Sequence, residues 1–150
     1  MNDITIREIK KEEYPDTINL VYDVFSKYEA PNYTKEGAEE FFKTINDEKF
    51  ISSLKIYGAF VEDDLAGMIA TRNDGEHITL FFVDERYQNK GIGRKLFEYI
   101  LDKTDCEKIT VNSSIYARNI YRRLGFNDTD EEKCVNGLRF IPMEFMRNGK

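Results

Sequence analysis

A basic, glycine-containing segment between an apolar run and a helical pattern is the first candidate for chemistry. Residues 81–100 read FFVDERYQNKGIGRKLFEYI, in which the apolar run stops at Val83 and apolar residues resume at helical spacing after Gly91. Residues 86–95 contain no acid, although the whole chain carries 28 acidic and 22 basic residues. A helix N-terminus presents unpaired N–H groups and a partial positive charge, and glycine lets an anion approach the backbone. The segment therefore predicts a binding site for a phosphate-bearing ligand.

Two common phosphate-binding motifs do not fit this segment. A Walker A loop requires Gly-Lys-Ser/Thr, whereas Gly93 is followed by Arg-Lys-Leu. A dinucleotide-binding fingerprint requires a third glycine at the position of Leu96. What remains is the pattern Gln88-x-x-Gly91-x-Gly93, which begins five residues after the apolar run ends.

A second segment supports one family of phosphate-binding proteins. Residues 111–126 read VNSSIYARNIYRRLGF and contain the pattern Ala-x-x-x-Tyr-x-x-x-Gly-Phe, with Tyr121 as its tyrosine and Gly125 as its glycine. Together with the glycine pattern upstream, this segment resembles the GNAT superfamily of acyl-CoA-dependent N-acetyltransferases. The resemblance extends over essentially the whole chain, because the order of the predicted elements also agrees.

The resemblance implies that acetyl-CoA binds as a cosubstrate. Its pyrophosphate would lie on the backbone amides of residues 88–94, and its pantetheine arm would pair with the backbone of the strand that ends at Val83. Many relatives carry an asparagine seven residues before the tyrosine, and here either Ser114 or Asn112 could replace it. The implied cofactor contacts are Phe81, Val83, Gln88, Asn89, Lys90, Gly91, Ile92, Gly93, Arg94, Tyr121 and one or both of Asn112 and Ser114.

Acyl transfer from a thioester to an amine needs a base for the amine and an acid for the thiolate. The resemblance assigns the acid to Tyr121. His77 lies six residues before Val83, where the histone-acetyltransferase branch has a glutamate base, and the even spacing predicts the same strand face as Phe81 and Val83. An imidazole with an unperturbed pKa of about 6.5 suits this role. Glu76 or a bound water are the alternative bases.

The acceptor is expected to be a primary amine, attacked directly in a ternary complex. In this fold the first two helices usually form the acceptor wall. Their aromatic and acidic residues favour a cationic amine, either a small molecule or a lysine or N-terminal amine of a protein. A non-catalytic acyl-CoA sensor or interaction module on the same fold is the alternative. The wall residues are Phe25, Tyr28, Tyr33, Phe41 and Phe42, with Glu29, Glu36, Glu39 and Glu40 nearby.

These residues must be positioned by a mixed, mostly antiparallel α/β sheet of about seven strands with four flanking helices. The resemblance implies that this sheet is splayed to hold acetyl-CoA. Residues 77–83 are apolar on both faces, which is typical of a strand covered on both sides. Alternation and helical spacing predict strands at 4–9, 56–61, 65–71, 77–83, 108–112, 131–135 and 138–146, and helices at 14–28, from Thr34 to Ile45, after Gly91 and before Gly125.

Composition limits the classes of protein to consider. A chain of 150 residues is expected to form one domain, 1–150, either as a monomer or as a homodimer. A net charge of −6 argues against nucleic-acid binding, and no apolar run approaches the roughly 20 residues of a membrane span. The first ten residues do not resemble a signal peptide. With one histidine and two separated cysteines, Cys106 and Cys134, we expect no metal site and a cytoplasmic location.

Overall fold

The computed structural model describes residues 3–147 and confirms a mixed, mostly antiparallel α/β fold. Within these residues there are eight strands and five α-helices. No helix in this range is long and apolar enough to cross a membrane. The strands are β1 (Ile4–Glu8), β2 (Lys55–Val61), β3 (Asp64–Arg72), β4 (His77–Val83), β5 (Lys108–Ser113), β6 (Asn127–Asp128), β7 (Lys133–Val135) and β8 (Leu138–Met146). The helices are α1 (Tyr14–Val24), α2 (Lys35–Ile45), α3 (Glu48–Ser52), α4 (Ile92–Lys103) and α5 (Arg118–Leu124).

One sheet organises the described part of the chain. Its strand order is β1-β2-β3-β4-β5-β8-β6, and β7 pairs with β8 outside that path. Only the β4–β5 pairing among these strands is parallel, because α4 carries the chain across the sheet between them. Helices cover both faces of the sheet, and β4 is therefore buried on both sides, as its apolar sequence predicts.

Each face of the sheet has its own hydrophobic core. On one face, α1, α2 and α3 pack against the sheet through residues such as Val21, Ile45 and Ile51. On the other face, α4 and α5 contribute residues such as Leu96 and Tyr121. Leu80 and Phe82 of β4 belong to the first core, whereas Ile78, Phe81 and Val83 of the same strand pack in the second.

The structure differs from the predicted elements at a few short segments. The helix predicted over 14–28 ends as an α-helix at Val24 and continues as a π-helical turn, Phe25–Glu29, in which Ala30 N donates to Phe25 O. Helix α3 and strand β6 were not predicted, because five and two residues are too short for a periodic pattern. Strand β7 begins at Lys133 rather than at residue 131.

Strands β4 and β5 part after a very short contact, which confirms the predicted splay. They pair only at His77 with Thr110 and at Ile78 with Val111. On its other side β4 pairs with β3 along its whole length, interrupted by a β-bulge that leaves Thr79 without a partner. A bulge adds a residue to one strand and bends it, so β4 turns away from β5 at this point. The sheet is thereby opened from Thr79 to Val83.

The β7–β8 hairpin docks against the start of α2 through two glycines. Asn136 and Gly137 form its turn with φ angles of 54° and 80°. A Cβ placed on Gly37 of α2 would lie 2.1 Å from the carbonyl oxygen of Gly137. Arg139 also donates to the carbonyl of Asn32 at 3.2 Å. The hairpin is thus held against the segment that leads into α2.

We predict that Gly37→Ala destabilises the protein by about 1–3 kcal/mol, because the added methyl group would press on the backbone of Gly137. Alanine ordinarily stabilises a helix over glycine by about 0.5–1 kcal/mol, so the expected sign is reversed here. Urea unfolding measures the difference. Glu36→Ala, on the exposed side of the same helix, is the control and should stay within about 0.5 kcal/mol of wild type. An equal or more stable Gly37→Ala protein would contradict the close packing of the hairpin.

Candidate active site

The start of α4 presents unpaired backbone donors. Gly91 precedes the helix with a φ of 82°, and no side chain caps the helix. The first helical bond is from Lys95 N to Gly91 O at 3.1 Å, so the amides of Ile92, Gly93 and Arg94 lie ahead of the helical ladder. No atom lies within 4 Å of the position of a Cβ on Gly91. A large anion could therefore reach these donors.

Beside this helix start, the backbone of β4 faces the gap left by β5. Before the bulge, Glu76 O accepts a hydrogen bond from Thr110 N of β5. After the bulge, Asp84 N donates to Ala66 O on the β3 side. The backbone groups of even-numbered residues thus point toward β5 before the bulge and toward β3 after it. Because this direction alternates along a strand, the N–H and C=O groups of Phe81 and Val83 point into the gap. These groups could pair with an extended ligand.

Two side chains of the glycine-containing segment are already engaged within the protein. Gln88 Nε2 donates to the carbonyl of Val83 at 3.0 Å, which folds the loop back onto the end of β4. Arg94 donates to the carbonyl of Arg123 at the end of α5, at 2.9 Å. The second contact joins the two helices that enclose the gap. These two hydrogen bonds hold the loop against the end of β4 and α4 against α5.

A cleft of about 550 Å³ lies between these elements. Lys90, Asn112 and Ser114 were predicted as cofactor contacts but do not line it. Most predicted contacts do line it, namely Phe81, Val83, Gln88, Asn89, Gly91, Ile92, Gly93, Arg94 and Tyr121. The sequence did not point to the wall that α5 and its preceding turn provide, which is formed by Tyr116, Ala117, Asn119, Ile120, Arg123 and Leu124.

A second pocket, of about 300 Å³, lies on the other side of the gap. Tyr33, Glu40 and Phe41 form one wall, and residues of the β7–β8 hairpin form the wall opposite. Asn112 and Ser114 line this pocket rather than the cleft. The cleft and the pocket share five wall residues, which are Glu29, Phe81, Phe82, Ala117 and Tyr121.

Tyr121 lies at this shared wall. Its side chain is 6% exposed, and its ring packs edge-on against Phe81 and Phe126 with centroid distances of 5.9 and 5.3 Å. Burial, with a smaller contribution from the charge of Glu29, raises the pKa of the Tyr121 phenol. The phenol therefore stays protonated and retains a proton to donate at neutral pH.

His77 does not face the side that its sequence spacing predicts. The bulge at Thr79 shifts the alternation, so that Ile78 shares a core with Phe81 and Val83 while His77 points to the opposite face. Its Nδ1 lies 2.7 Å from the hydroxyl of Thr110, at the closed end of the β4–β5 contact. Burial, and then the charge of Arg72, lower the pKa of His77 to about 4. His77 lines neither the cleft nor the pocket, and neither does the exposed Glu76.

Glu29 is the acidic group that lies at the junction. It ends the π-helical turn and is 9% exposed. Burial raises the pKa of its carboxyl group to about 7, against the smaller lowering effect of a hydrogen bond with the Ser114 hydroxyl. The sequence placed Glu29 only near the acceptor wall. A stronger signal was available, because Glu29 follows the buried Phe25 by four residues and thus continues the apolar stripe of α1.

A larger cavity, of about 640 Å³, lies at the far end of the sheet beside β1. It contains none of the residues predicted to bind or react. Within residues 3–147, no group of three or more His, Cys, Asp or Glu is arranged to hold a metal ion. Arg7 in its wall is paired with Glu13 at 2.7 Å. The candidate site is therefore the junction of the cleft and the pocket.

Comparison with known proteins shows the family to which the chain belongs. The family model described as "Acetyltransferase (GNAT) domain" matches residues 29–147. A spermine/spermidine N(1)-acetyltransferase of Bacillus subtilis is 29% identical over 104 residues, which cover 58% of this chain and 68% of that protein.

Solved structures share the fold at low sequence identity. A GCN5-related N-acetyltransferase of Rhodopseudomonas palustris superposes with a TM-score of 0.81 at 17% identity, over 97% of each chain. The PaiA N-acetyltransferase of Thermoplasma acidophilum, in complex with coenzyme A, has a TM-score of 0.76 at 20% identity. That match covers 96% of this chain and 99% of the other.

The burial of Glu29 predicts an unusual dependence of stability on pH. Because folding raises its pKa from 4.5 to about 7, stability is lost as the pH rises through that interval. Glu29→Gln cannot ionise, so above about pH 7 it should be more stable than wild type by up to about 3 kcal/mol, and the gain should vanish near pH 4. Urea unfolding at several pH values measures this. Glu40→Gln, in the half-exposed wall of the same pocket, is the control. A Glu29→Gln protein that is less stable than wild type at high pH would contradict the burial of an unpaired carboxylate.

Proposed function

The chain belongs to the GNAT acetyltransferase family and is an N-acetyltransferase, and from this premise we propose that it transfers an acetyl group from acetyl-CoA to a small polyamine. The observation that carries the proposal is the meeting of two cavities at the gap between β4 and β5. The cleft has the features of a donor site, and the pocket has those of an acceptor site. Both substrates could thus be bound together before transfer.

The cleft has the donors that acetyl-CoA requires. The uncapped amides of Ile92, Gly93 and Arg94 suit the pyrophosphate, because they combine free N–H groups with the positive end of the helix dipole. The backbone of Phe81 and Val83 would pair with the amides of the pantetheine arm, although the Val83 carbonyl already accepts from Gln88. Lys90 is exposed and would add charge only from the rim.

The position of Tyr121 suits the acid that the family resemblance assigns to it. The phenol lines both cavities, so it lies where a thioester in the cleft would meet an amine in the pocket. Its raised pKa keeps it protonated until the carbon–sulfur bond breaks. We propose that the Tyr121 hydroxyl donates its proton to the departing thiolate.

The pocket favours a slender cation as acceptor. It contains the carboxylates of Glu29 and Glu40 together with the rings of Tyr33 and Phe41. The one basic residue in its wall, Arg139, is paired with Glu132 at 2.7 Å. A pocket of about 300 Å³ suits an alkyl chain with a second ammonium group better than it suits a folded segment of protein. The name of the Bacillus subtilis relative, spermine/spermidine N(1)-acetyltransferase, supports an acceptor of this kind.

The remaining parts of the proposal concern location and assembly. We propose a cytoplasmic protein, because Cys106 and Cys134 are both free thiols. We also propose that it acts without nucleic acid, as a monomer or a homodimer, since its net charge is −6. The presence of both a candidate acid and a candidate acceptor pocket weighs against the non-catalytic acyl-CoA sensor that the sequence left as an alternative.

The proposed reaction is tested by following thiol release from acetyl-CoA with a panel of amines. We expect the highest kcat/KM for polyamines, lower values for monoamines of similar length, and the lowest for lysine-containing peptides. Tyr121→Phe is the matched control, because it keeps the packing and should lower kcat by 10²–10⁴-fold with little change in CoA affinity. Tight CoA binding without thiol release from any amine would overturn the proposal and favour the sensor.

The donor site is tested separately by Gly93→Val. A Cβ on Gly93 would lie 3.6 Å from the Phe81 ring, so a bulkier side chain would occupy the space between α4 and the end of β4. Gly93 does not need a positive φ, unlike Gly91, so the substitution tests space rather than backbone strain. We expect CoA binding, measured by calorimetry, to fall at least 10-fold while the circular dichroism spectrum is unchanged. A folded variant that binds CoA as wild type does would contradict the placement of the pyrophosphate.

A further inference from the structure

We propose that the Glu29 carboxylate, rather than His77, is the catalytic base that accepts a proton from the acceptor amine. This inference rests on the proposed N-acetyltransferase function and adds the residue on the acceptor side of the same reaction. It begins from the position of Glu29 in the wall shared by the cleft and the pocket. No other carboxylate or histidine within residues 3–147 lines both of these cavities.

The π-helical turn explains how a charged side chain comes to lie there. Its wider backbone spacing, with Ala30 N bonded to Phe25 O, brings the end of the α1 segment against the turn before α5. Phe25 is fully buried and stacks on Phe41 at a centroid distance of 3.8 Å, which anchors the turn. Glu29 itself is 9% exposed, so its carboxylate is largely shielded from bulk water.

The groups around Glu29 come from five segments of the chain and leave its charge without a cationic partner. Tyr33 approaches from the segment before α2, Tyr116 from the turn before α5 and Tyr121 from α5. Burial raises the pKa of all three phenols, and the charge of Glu29 raises each of them further by a smaller amount. Glu40 of α2 and Arg139 of β8 line the same pocket. Arg139 is bound to Glu132 and to the carbonyl of Asn32. An unpaired buried carboxylate gains from taking up a proton.

The Ser114 hydroxyl has the contacts needed to orient this carboxylate. Ser114 Oγ accepts a hydrogen bond from Ala117 N at 3.1 Å, so its own O–H is free to donate to Glu29. A hydrogen bond from this hydroxyl lowers the affinity of the Glu29 carboxylate for a proton only partly. Burial remains the larger effect, and the pKa of Glu29 stays at about 7.

The acceptor enters as an ammonium ion, and Glu29 takes one of its protons, which frees the nitrogen lone pair. The nitrogen–carbon bond to the acetyl group forms and the carbon–sulfur bond breaks, while the Tyr121 O–H protonates the departing thiolate. The second proton, released by the acetylated nitrogen, restores the phenol. Glu29 then releases its proton to solvent, so one proton is liberated per acetyl group transferred.

The test is the pH dependence of kcat/KM with spermidine as acceptor. Alkylamines titrate at about pH 10, so an ionisation near neutrality in the pH profile of kcat/KM belongs to the enzyme. Wild type should be inactive when Glu29 is protonated, and its activity should rise with pH through about 7. Glu29→Gln should lose this acidic limb and 10²–10⁴-fold of the rate, while binding CoA normally. Glu29→Asp retains a carboxylate and should keep the limb at a reduced rate.

Two further variants separate the possible outcomes. Glu40→Gln should raise the KM for spermidine but keep the limb, because Glu40 lines only the pocket. His77→Gln is the competing variant. If it loses the limb, or if Glu29→Gln keeps the limb with a rate within threefold of wild type, Glu29 is not the base. An inactive wild type with every amine would overturn the proposed function instead.

Discussion

The backbone of β4 cannot pair with β3 and β5 over its whole length, and both the cleft and the pocket depend on that break. The extra residue at Thr79 keeps β4 in register with β3 and turns it away from β5 after two paired positions. An unpaired backbone group that is buried from water costs free energy, so the gap must remain open to solvent or to a ligand. The protein thus keeps a row of peptide groups available at the centre of its sheet without exposing the core on either side.

The elements around the gap are placed so that it stays open. The Arg94–Arg123 contact joins the start of α4 to the end of α5 across the cleft. On the opposite side, the Gly37–Gly137 contact fixes the β7–β8 hairpin against α2. Neither contact involves the hydrophobic cores, and each spans elements that are distant in the sequence. The cores hold the layers together, whereas these polar and glycine contacts set the width of the two cavities.

The sequence predicted most of the fold, and most of its predicted cofactor contacts lie in the wall of the cleft. Gln88, Gly91 and Gly93 lie in a local segment whose conformation follows from residue type, so their neighbourhood was predictable from their spacing. The face of the sheet on which His77 lies could not be predicted. Strand β4 is apolar on both faces, so its sequence carries no sign of a bulge. The sequence placed Glu29 near the predicted acceptor wall, but it did not predict that Glu29 lies at the junction of the cleft and the pocket. The spacing from Phe25 indicated that Glu29 is buried, but its exact position depends on a π-helical turn that the helical pattern did not predict.

The π-helical turn also has a consequence for how this protein is compared with its relatives. Successive residues of an α-helix advance by roughly 100° around the axis, so deletion of one codon within 25–29 would turn every later side chain of the segment by that angle. The carboxylate would leave the junction although the same amino acid remained in an alignment column. An identical residue at aligned position 29 therefore says less about which side chain lies at the junction than the direction in which the helix presents that residue. Two proteins of the same fold whose alignment differs by a one-residue deletion in this segment would thus place different side chains at the junction.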